Sequence, residues 1–370
     1  MTARPAIDLC DLAPSYISAI APYQPGKPIA ELERELGISG AVKLASNENP
    51  AGASPRALAA ARAALDDIAR YPDGNGFELK HAVAVHHGVE ENAIVLGNGS
   101  NDVLELTART FLAPGAAAVF AQHAFAVYPL VTQATGATGI EVPARDFGHD
   151  LPAMARAITA DVKVVFVANP NNPTGTLVPP HEVHAFLRSV PSRVLVVLDE
   201  AYGEYLPDEL RADSVAWLRE FPNLVVSHTF SKAHGLAGLR VGYALAHPAV
   251  ADLMNRVRQP FNVSSVAQAA ACAALEDDAF VAASRERNRQ GMAQITAGLA
   301  GLGLEFIASY GNFVSFRVAD ARGVYDRLLR LGVIVRPIAS YGMPDFLRVS
   351  IGLPQENARF LSALAQALAG

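Results

Sequence analysis

What most constrains this chain is a rhythm in which short runs of β-branched and small apolar residues are each followed by a stretch long enough for a helix. The runs fall at 93–96, 117–120, 139–142, 162–168, 194–198, 224–228 and 241–245. Several are apolar without alternation, which is how a strand reads when both of its faces are covered. Strands that alternate with helices imply crossover connections, and crossovers leave successive strands parallel. The expected fold is α/β, with a mostly parallel central sheet and helices on both faces.

From about residue 263 the texture changes. Helical stretches at 267–275 and 278–299 precede strand-like runs at 313–318, 333–336 and 347–351, the pattern of a smaller α+β domain. At 370 residues the chain exceeds the size at which a single core keeps growing. We therefore expect a proline-rich N-terminal arm over residues 1–40, helical around 30–36 and packed on the small domain. A large domain over 41–262 and a small domain over 263–370 complete the division.

Composition narrows the partners. A net charge of −6 with no block of like charges leaves no electrostatic footprint for nucleic acid or an anionic membrane. The two cysteines, Cys10 and Cys272, cannot build a disulfide framework or a C-x-x-C site, which fits a reducing cytoplasm. Asp8 and Asp11 stand where a secretory segment would be apolar, and no apolar run approaches bilayer length. His181-Glu182-Val183-His184 lacks the zinc-protease spacing, and no metal site is expected.

Ligands of open α/β sheets bind beyond the carboxyl ends of the strands, where loops and helix N-termini converge. After the run at 93–96 comes Gly97-Asn98-Gly99-Ser100-Asn101-Asp102, opening a helix whose free N–H groups would suit an anion. After 117–120, Phe125 could plate a planar ligand. The run at 162–168 enters Asn169-Pro170-Asn171-Asn172-Pro173-Thr174-Gly175, a turn rich in proline that would present an amide rigidly. The run at 194–198 ends in Asp199-Glu200-Ala201-Tyr202, and that at 224–228 in Thr229-Phe230-Ser231-Lys232, with Arg240 farther on. A lysine that can be desolvated is a Schiff-base nucleophile, a buried carboxylate can pair with a pyridinium nitrogen, and hydroxyls, backbone N–H groups and an arginine can hold a phosphate. These groups together call for a phosphorylated aldehyde on a pyridine ring.

Asn172-Pro173-Thr174-Gly175, Asp199-Glu200-Ala201-Tyr202 and the segment from Ser231-Lys232 through Gly238-Leu239-Arg240-Val241-Gly242 resemble, in this order and at these separations, the fold-type-I pyridoxal-phosphate-dependent aminotransferases. Leu44-Ala45-Ser46-Asn47-Glu48-Asn49-Pro50, Arg70-Tyr71-Pro72-Asp73-Gly74 and Leu347-Arg348-Val349-Ser350-Ile351-Gly352 look like the histidinol-phosphate aminotransferase group within them. The resemblance spans nearly the whole chain. It implies pyridoxal 5′-phosphate carried on Lys232, with Asp199 on the pyridine nitrogen and Asn172 and Tyr202 on the phenolic oxygen. It further implies Phe125 against the ring, and Thr229, Ser231, Arg240, Gly99, Ser100 and Asn101 around the phosphate. Tyr71 matches a tyrosine that reaches the neighbouring subunit's phosphate, implying a homodimer. Arg336 and Arg348 would anchor the anionic ends of the substrates, with Tyr23 and Asn47 as further substrate contacts. Ala51 and Ala53 depart from the larger or stiffer residues often found after Asn49-Pro50.

The implied reaction is transamination between L-histidinol phosphate and 2-oxoglutarate, giving glutamate, in histidine biosynthesis. An aromatic amino acid aminotransferase carries the same fold and motifs and is the alternative; a catalytically silent cofactor-binding scaffold would lack Lys232 or Asp199. A nucleotide hydrolase would need G-x-x-x-x-G-K-[ST], which is missing, and Asp102 stands where a dinucleotide fingerprint needs its third glycine.

Overall fold

The structure is a computed structural model describing residues 9–22 and 25–369. Its strands in chain order are β1 (Val42–Lys43), β2 (Ile94–Gly97), β3 (Ala117–Ala121), β4 (Thr138–Val142), β5 (Val162–Ala168), β6 (Leu195–Asp199), β7 (Leu224–Thr229) and β8 (Gly242–Ala246). The C-terminal part adds β9 (Phe313–Arg317), β10 (Val333–Ile334), β11 (Arg336–Pro337) and β12 (Phe346–Ser350).

The main sheet has seven strands in the order β2-β8-β7-β6-β5-β3-β4. All its neighbours are parallel except β8, which runs antiparallel to both β7 and β2. Strands β2, β3, β6, β7 and β8 are buried at every position, as unbroken apolar runs require. One face carries Ile94, Leu96, Val165, Val167, Val196 and Val226 into a core with the helices Pro55–Ala64, Phe77–His87 and Ser265–Leu275. The other face sends Val95, Val164, Phe166, Val197 and Val225 against the helices Ser100–Phe111, Val127–Ala134 and Pro248–Val257. The period of two along each strand thus assigns alternate residues to separate cores.

A third core gathers β9 and β12 with the helices Asp278–Gly301, Ala321–Arg330 and Pro354–Ala369, around Phe316, Leu347, Val349 and Phe360. The run expected at 333–336 is not one strand. It breaks at Val335: β10 pairs in parallel with β1, whereas β11 pairs antiparallel with β12. Leu44 continues the first ladder, donating to Ile334 O at 2.7 Å and accepting from Ser350 N at 2.8 Å, and its side chain lies in the third core. The boundary expected at residue 41 therefore falls at the edge of a ladder that ties residues 42–44 to the C-terminal part. Pairing across nearly the whole chain length leaves no local pattern, which is why periodicity alone misses it.

Candidate active site

A cavity of about 230 Å³ opens where the carboxyl ends of β5, β6 and β7 meet the small sheet. Its lining brings together Asn47, Ser100, Asn101, Phe125, Asn172, Asp199, Tyr202, Thr229, Ser231, Lys232, Arg240, Arg336 and Arg348. Among the described residues, Tyr71 and Gly99 are the expected ones outside that lining. Tyr71 is 83% exposed and stacks on Phe261 with ring centroids 4.7 Å apart. Tyr23 falls outside the described residues. Gly99 caps the helix Ser100–Phe111 at φ 81°, where a Cβ would stand 2.3 Å from Arg240 Nη2. Only glycine admits both that backbone and that guanidinium.

Lys232 follows β7 by three residues, and its Nζ donates to Ser46 O at 3.2 Å. Burial first, then the nearby Arg348, brings its pKa down from 10.5 to about 8. Asp199 ends β6 and is 4% exposed. Burial raises its pKa to about 6, against the pull of Tyr128, whose hydroxyl donates to Oδ2 at 2.9 Å. The other carboxylate oxygen, Oδ1, is buried with no hydrogen-bond partner among the described residues. An orphaned buried carboxylate oxygen is costly unless a donor arrives from outside the protein, and a protonated ring nitrogen is such a donor.

The phosphate-sized end is built from the β2 and β7 loops. Arg240, itself at φ 56°, donates through Nη1 to Ser231 Oγ at 3.2 Å and to Ala237 O at 3.1 Å. Thr229 Oγ1 accepts from Ser231 N at 3.2 Å, and the helix beginning at Ser100 brings its N-terminus to the same lining. Hydroxyls, a guanidinium and unpaired helix N–H groups suit a dianion.

The opposite side comes from the small sheet. Arg336 and Arg348 are directly paired across β11 and β12, and they are 7% and 5% exposed. Arg348 Nη1 donates to Asn172 Oδ1 and Nη2 to Ala45 O at 2.8 Å, while its guanidinium lies 5.2 Å from the centre of the Phe313 ring. A second anion-holding group thus stands across the cavity from the first.

The family model for aminotransferase class I and II matches residues 39–364. The chain belongs to that family. A Methylobacillus flagellatus protein named histidinol-phosphate aminotransferase is 65% identical over 97% of this chain and 98% of its own length. The Pseudomonas aeruginosa protein named histidinol-phosphate aminotransferase 2 is 60% identical over 98% of this chain and 99% of its own. Among solved structures, the Sinorhizobium meliloti histidinol-phosphate aminotransferase in complex with pyridoxal-5′-phosphate superposes with a TM-score of 0.89 at 29% identity, covering 99% of both chains.

The residue that the strand-end reading of the family motifs misses is Tyr128. It is fully enclosed, and its ring stacks on Phe166 at 4.9 Å. A buried phenol needs a partner for its hydroxyl, and that was the available signal. Which acid it would find, 71 positions away, was not written locally. Ser350 is the other omission; it reaches Asn47 rather than the cavity.

Proposed function

We propose that the protein is a pyridoxal-phosphate-dependent aminotransferase that converts L-histidinol phosphate and 2-oxoglutarate to 3-(imidazol-4-yl)-2-oxopropyl phosphate and L-glutamate. The observation that carries this reading is a single cavity in which Lys232 stands with two anion-holding groups. One, with Ser231 and Arg240, suits the cofactor's phosphate; the other, Arg336 and Arg348, suits the phosphate of one substrate and a carboxylate of the next. The relatives at 60–65% identity carry the name of this activity.

When bound, pyridoxal phosphate supplies an electron sink for the charge that develops at the substrate's Cα. The protein's own groups do the rest. Asp199 Oδ1 would accept from the ring nitrogen and keep it protonated. Asn172, oriented by Arg348, and Tyr202 would donate to the ring's phenolic oxygen, and Phe125 would cover the ring face. Thr229, Ser231, Arg240 and the backbone from Gly99 to Asn101 would hold the phosphate. Lys232 Nζ would take the proton from the substrate's Cα and hand it to the carbon that was the cofactor's aldehyde, a task suited to an amine whose pKa has been brought down to about 8. Arg336 and Arg348 fix the substrate so that Cα–H faces that amine.

We further propose a homodimer in which Tyr71 reaches the partner's phosphate site. Tyr71 and Phe261 are both exposed and stack on each other, and Ile68 and Phe77 are exposed as well. A division near residues 40 and 262, with residues 42–44 joined to the small part and the helix Ser265–Leu275 to the large one, and a cytoplasmic location complete the proposal. In support of the latter, no helix among the described residues is long and apolar enough to cross a membrane. The decisive experiment compares initial rates with histidinol phosphate and with phenylalanine, each against 2-oxoglutarate, after recording the visible spectrum of the cofactor-loaded protein. A visible band with histidinol phosphate preferred is expected. Preference for phenylalanine would overturn the substrate, and no band would overturn the cofactor. A mixture of inactive Tyr71→Ala and Lys232→Ala proteins should regain activity if sites are shared between subunits.

A further inference from the structure

Asn47 lies in the cavity wall, but its polar atoms are engaged elsewhere than on a substrate. It is 1% exposed and sits at φ 54°. Its backbone N–H donates to Ser350 Oγ at 2.8 Å, and its Oδ1 accepts from the same hydroxyl at 3.0 Å. Its Nδ2 donates to Tyr202 Oη at 2.9 Å. Asn312 Nδ2 donates to the Asn47 carbonyl at 3.0 Å, closing the last direction.

This arrangement determines which way the amide faces. The serine hydroxyl has one proton, directed at Oδ1, and its oxygen already accepts from the Asn47 N–H. The amide nitrogen is thereby turned toward Tyr202. A phenol likewise has one proton and can accept through its oxygen. With the Asn47 Nδ2–H occupying an acceptor position on Tyr202 Oη, the tyrosine proton is not drawn toward the amide and is left for the cavity that Tyr202 lines.

We propose that Asn47 and Ser350 are positioning residues that make Tyr202 a hydrogen-bond donor into the cavity, toward the ring oxygen of the bound cofactor. This rests on the functional reading above and deepens it. Ser350 lies two residues after Arg348 on β12, so both project from the same face of that strand. Arg348 holds Asn172, and Ser350, through Asn47, holds Tyr202. One strand of the small sheet therefore orients both groups that serve the same cofactor oxygen, although those groups come from the ends of β5 and β6 in the main sheet.

The test uses cofactor-loaded protein and reads the pH midpoint of its visible absorption change, with thermal unfolding recorded for every variant. Asn47→Asp is isosteric, tolerates a positive φ and lacks the N–H, so the tyrosine proton would turn toward the new carboxylate. Ser350→Ala frees the amide to turn over without adding charge. A donor on the ring oxygen stabilises negative charge there, so its loss raises the midpoint. Asn47→Asp should raise it by about one pH unit and Ser350→Ala by less. In a Tyr202→Phe background each shift should shrink to about a third or less, because the tyrosine through which they act is gone. Equal shifts in both backgrounds, or no shift in either, would overturn the proposal. Wild type without any visible band defeats the functional reading itself, whereas a band whose midpoint ignores Asn47 defeats only this inference.

Discussion

Two polar cavities share the ends of the same strands. Asp199 and Thr229 line the candidate active site; Glu200 and His228, their immediate neighbours, line a second cavity of about 490 Å³ with His87, Glu204 and His234. Successive residues leave a strand on opposite sides, so one pair of strand ends furnishes both. The second cavity resolves its burial by neutrality. Burial raises Glu200 to about 8 and Glu204 to about 7, and lowers His87 and His234 to about 4. His87 meets the Tyr243 hydroxyl at 2.7 Å and stacks on His228, while Glu200 accepts from Ser214 at 2.8 Å. The second cavity's own guanidiniums, Arg211 and Arg285, both pair with Asp208 on its wall, whereas those of Arg240, Arg336 and Arg348 keep their protons at any working pH in a cavity where the buried amine of Lys232 joins them. An excess of cationic groups around a cavity suits an anion, whereas groups that shed charge or answer one another do not call for one. Buried ionisable residues alone therefore do not mark a site.

The sharpest break between the two regions is expected from Lys232→Ala against Glu200→Gln. The first should cost about 10⁴-fold or more in kcat and abolish the visible cofactor band. The second should leave kcat within about threefold. Comparable losses from both would erase the distinction. Asp199→Asn comes next, with a loss of about 10²- to 10³-fold, since a neutral amide does not hold the ring nitrogen protonated.

Stability sharpens the same comparison with the opposite sign. The pKa of Asp199 rises from 3.8 to about 6 on folding. Its contribution is therefore fully present below pH 3.8 and lost as pH climbs through 6. Cofactor-free Asp199→Asn should melt above wild type at pH 7 and level with it near pH 4, so this residue favours function at the expense of the empty fold. Arg348→Lys should reduce kcat/KM for both substrates by about 10- to 100-fold, because an ammonium cannot grip an anion and Asn172 in the fork geometry of a guanidinium. The smallest effect is in the second cavity. Folding raises Glu200 from 4.5 to about 8, so wild type loses stability as pH rises across that window. Glu200→Gln should flatten that part of the melting profile without touching the rates.

The architecture was largely legible because most strands of the main sheet are buried through their own short runs, edge strand β4 excepted, and burial on both faces writes itself as local hydrophobicity. The strand at 162–168 reads directly from the sequence and is β5. The run at 333–336 did not, because Val333 and Arg336 belong to different ladders whose partners lie at 42 and 348. The chemical groups at the strand ends were equally legible, since the turn after each strand places Asn172, Asp199 and Lys232 within a few residues of it. Their partners were not. Tyr128 on Asp199 and Arg348 on Asn172 join positions 71 and 176 residues apart, and no spacing rule connects them.

By itself, the sequence determined which side chains would stand at the carboxyl ends of a parallel sheet, because strand period and turn chemistry act over a handful of residues. Only the tertiary structure decided how those side chains are protonated and aimed. Lys232 loses its proton more readily because the folded chain buries it and the small sheet brings Arg348 near it. Asn47 faces Tyr202 because Ser350, 303 residues away, accepts from its N–H and donates to its amide oxygen. Desolvation and hydrogen-bond direction depend on everything that surrounds a group, and most of what surrounds these groups comes from the far end of the chain.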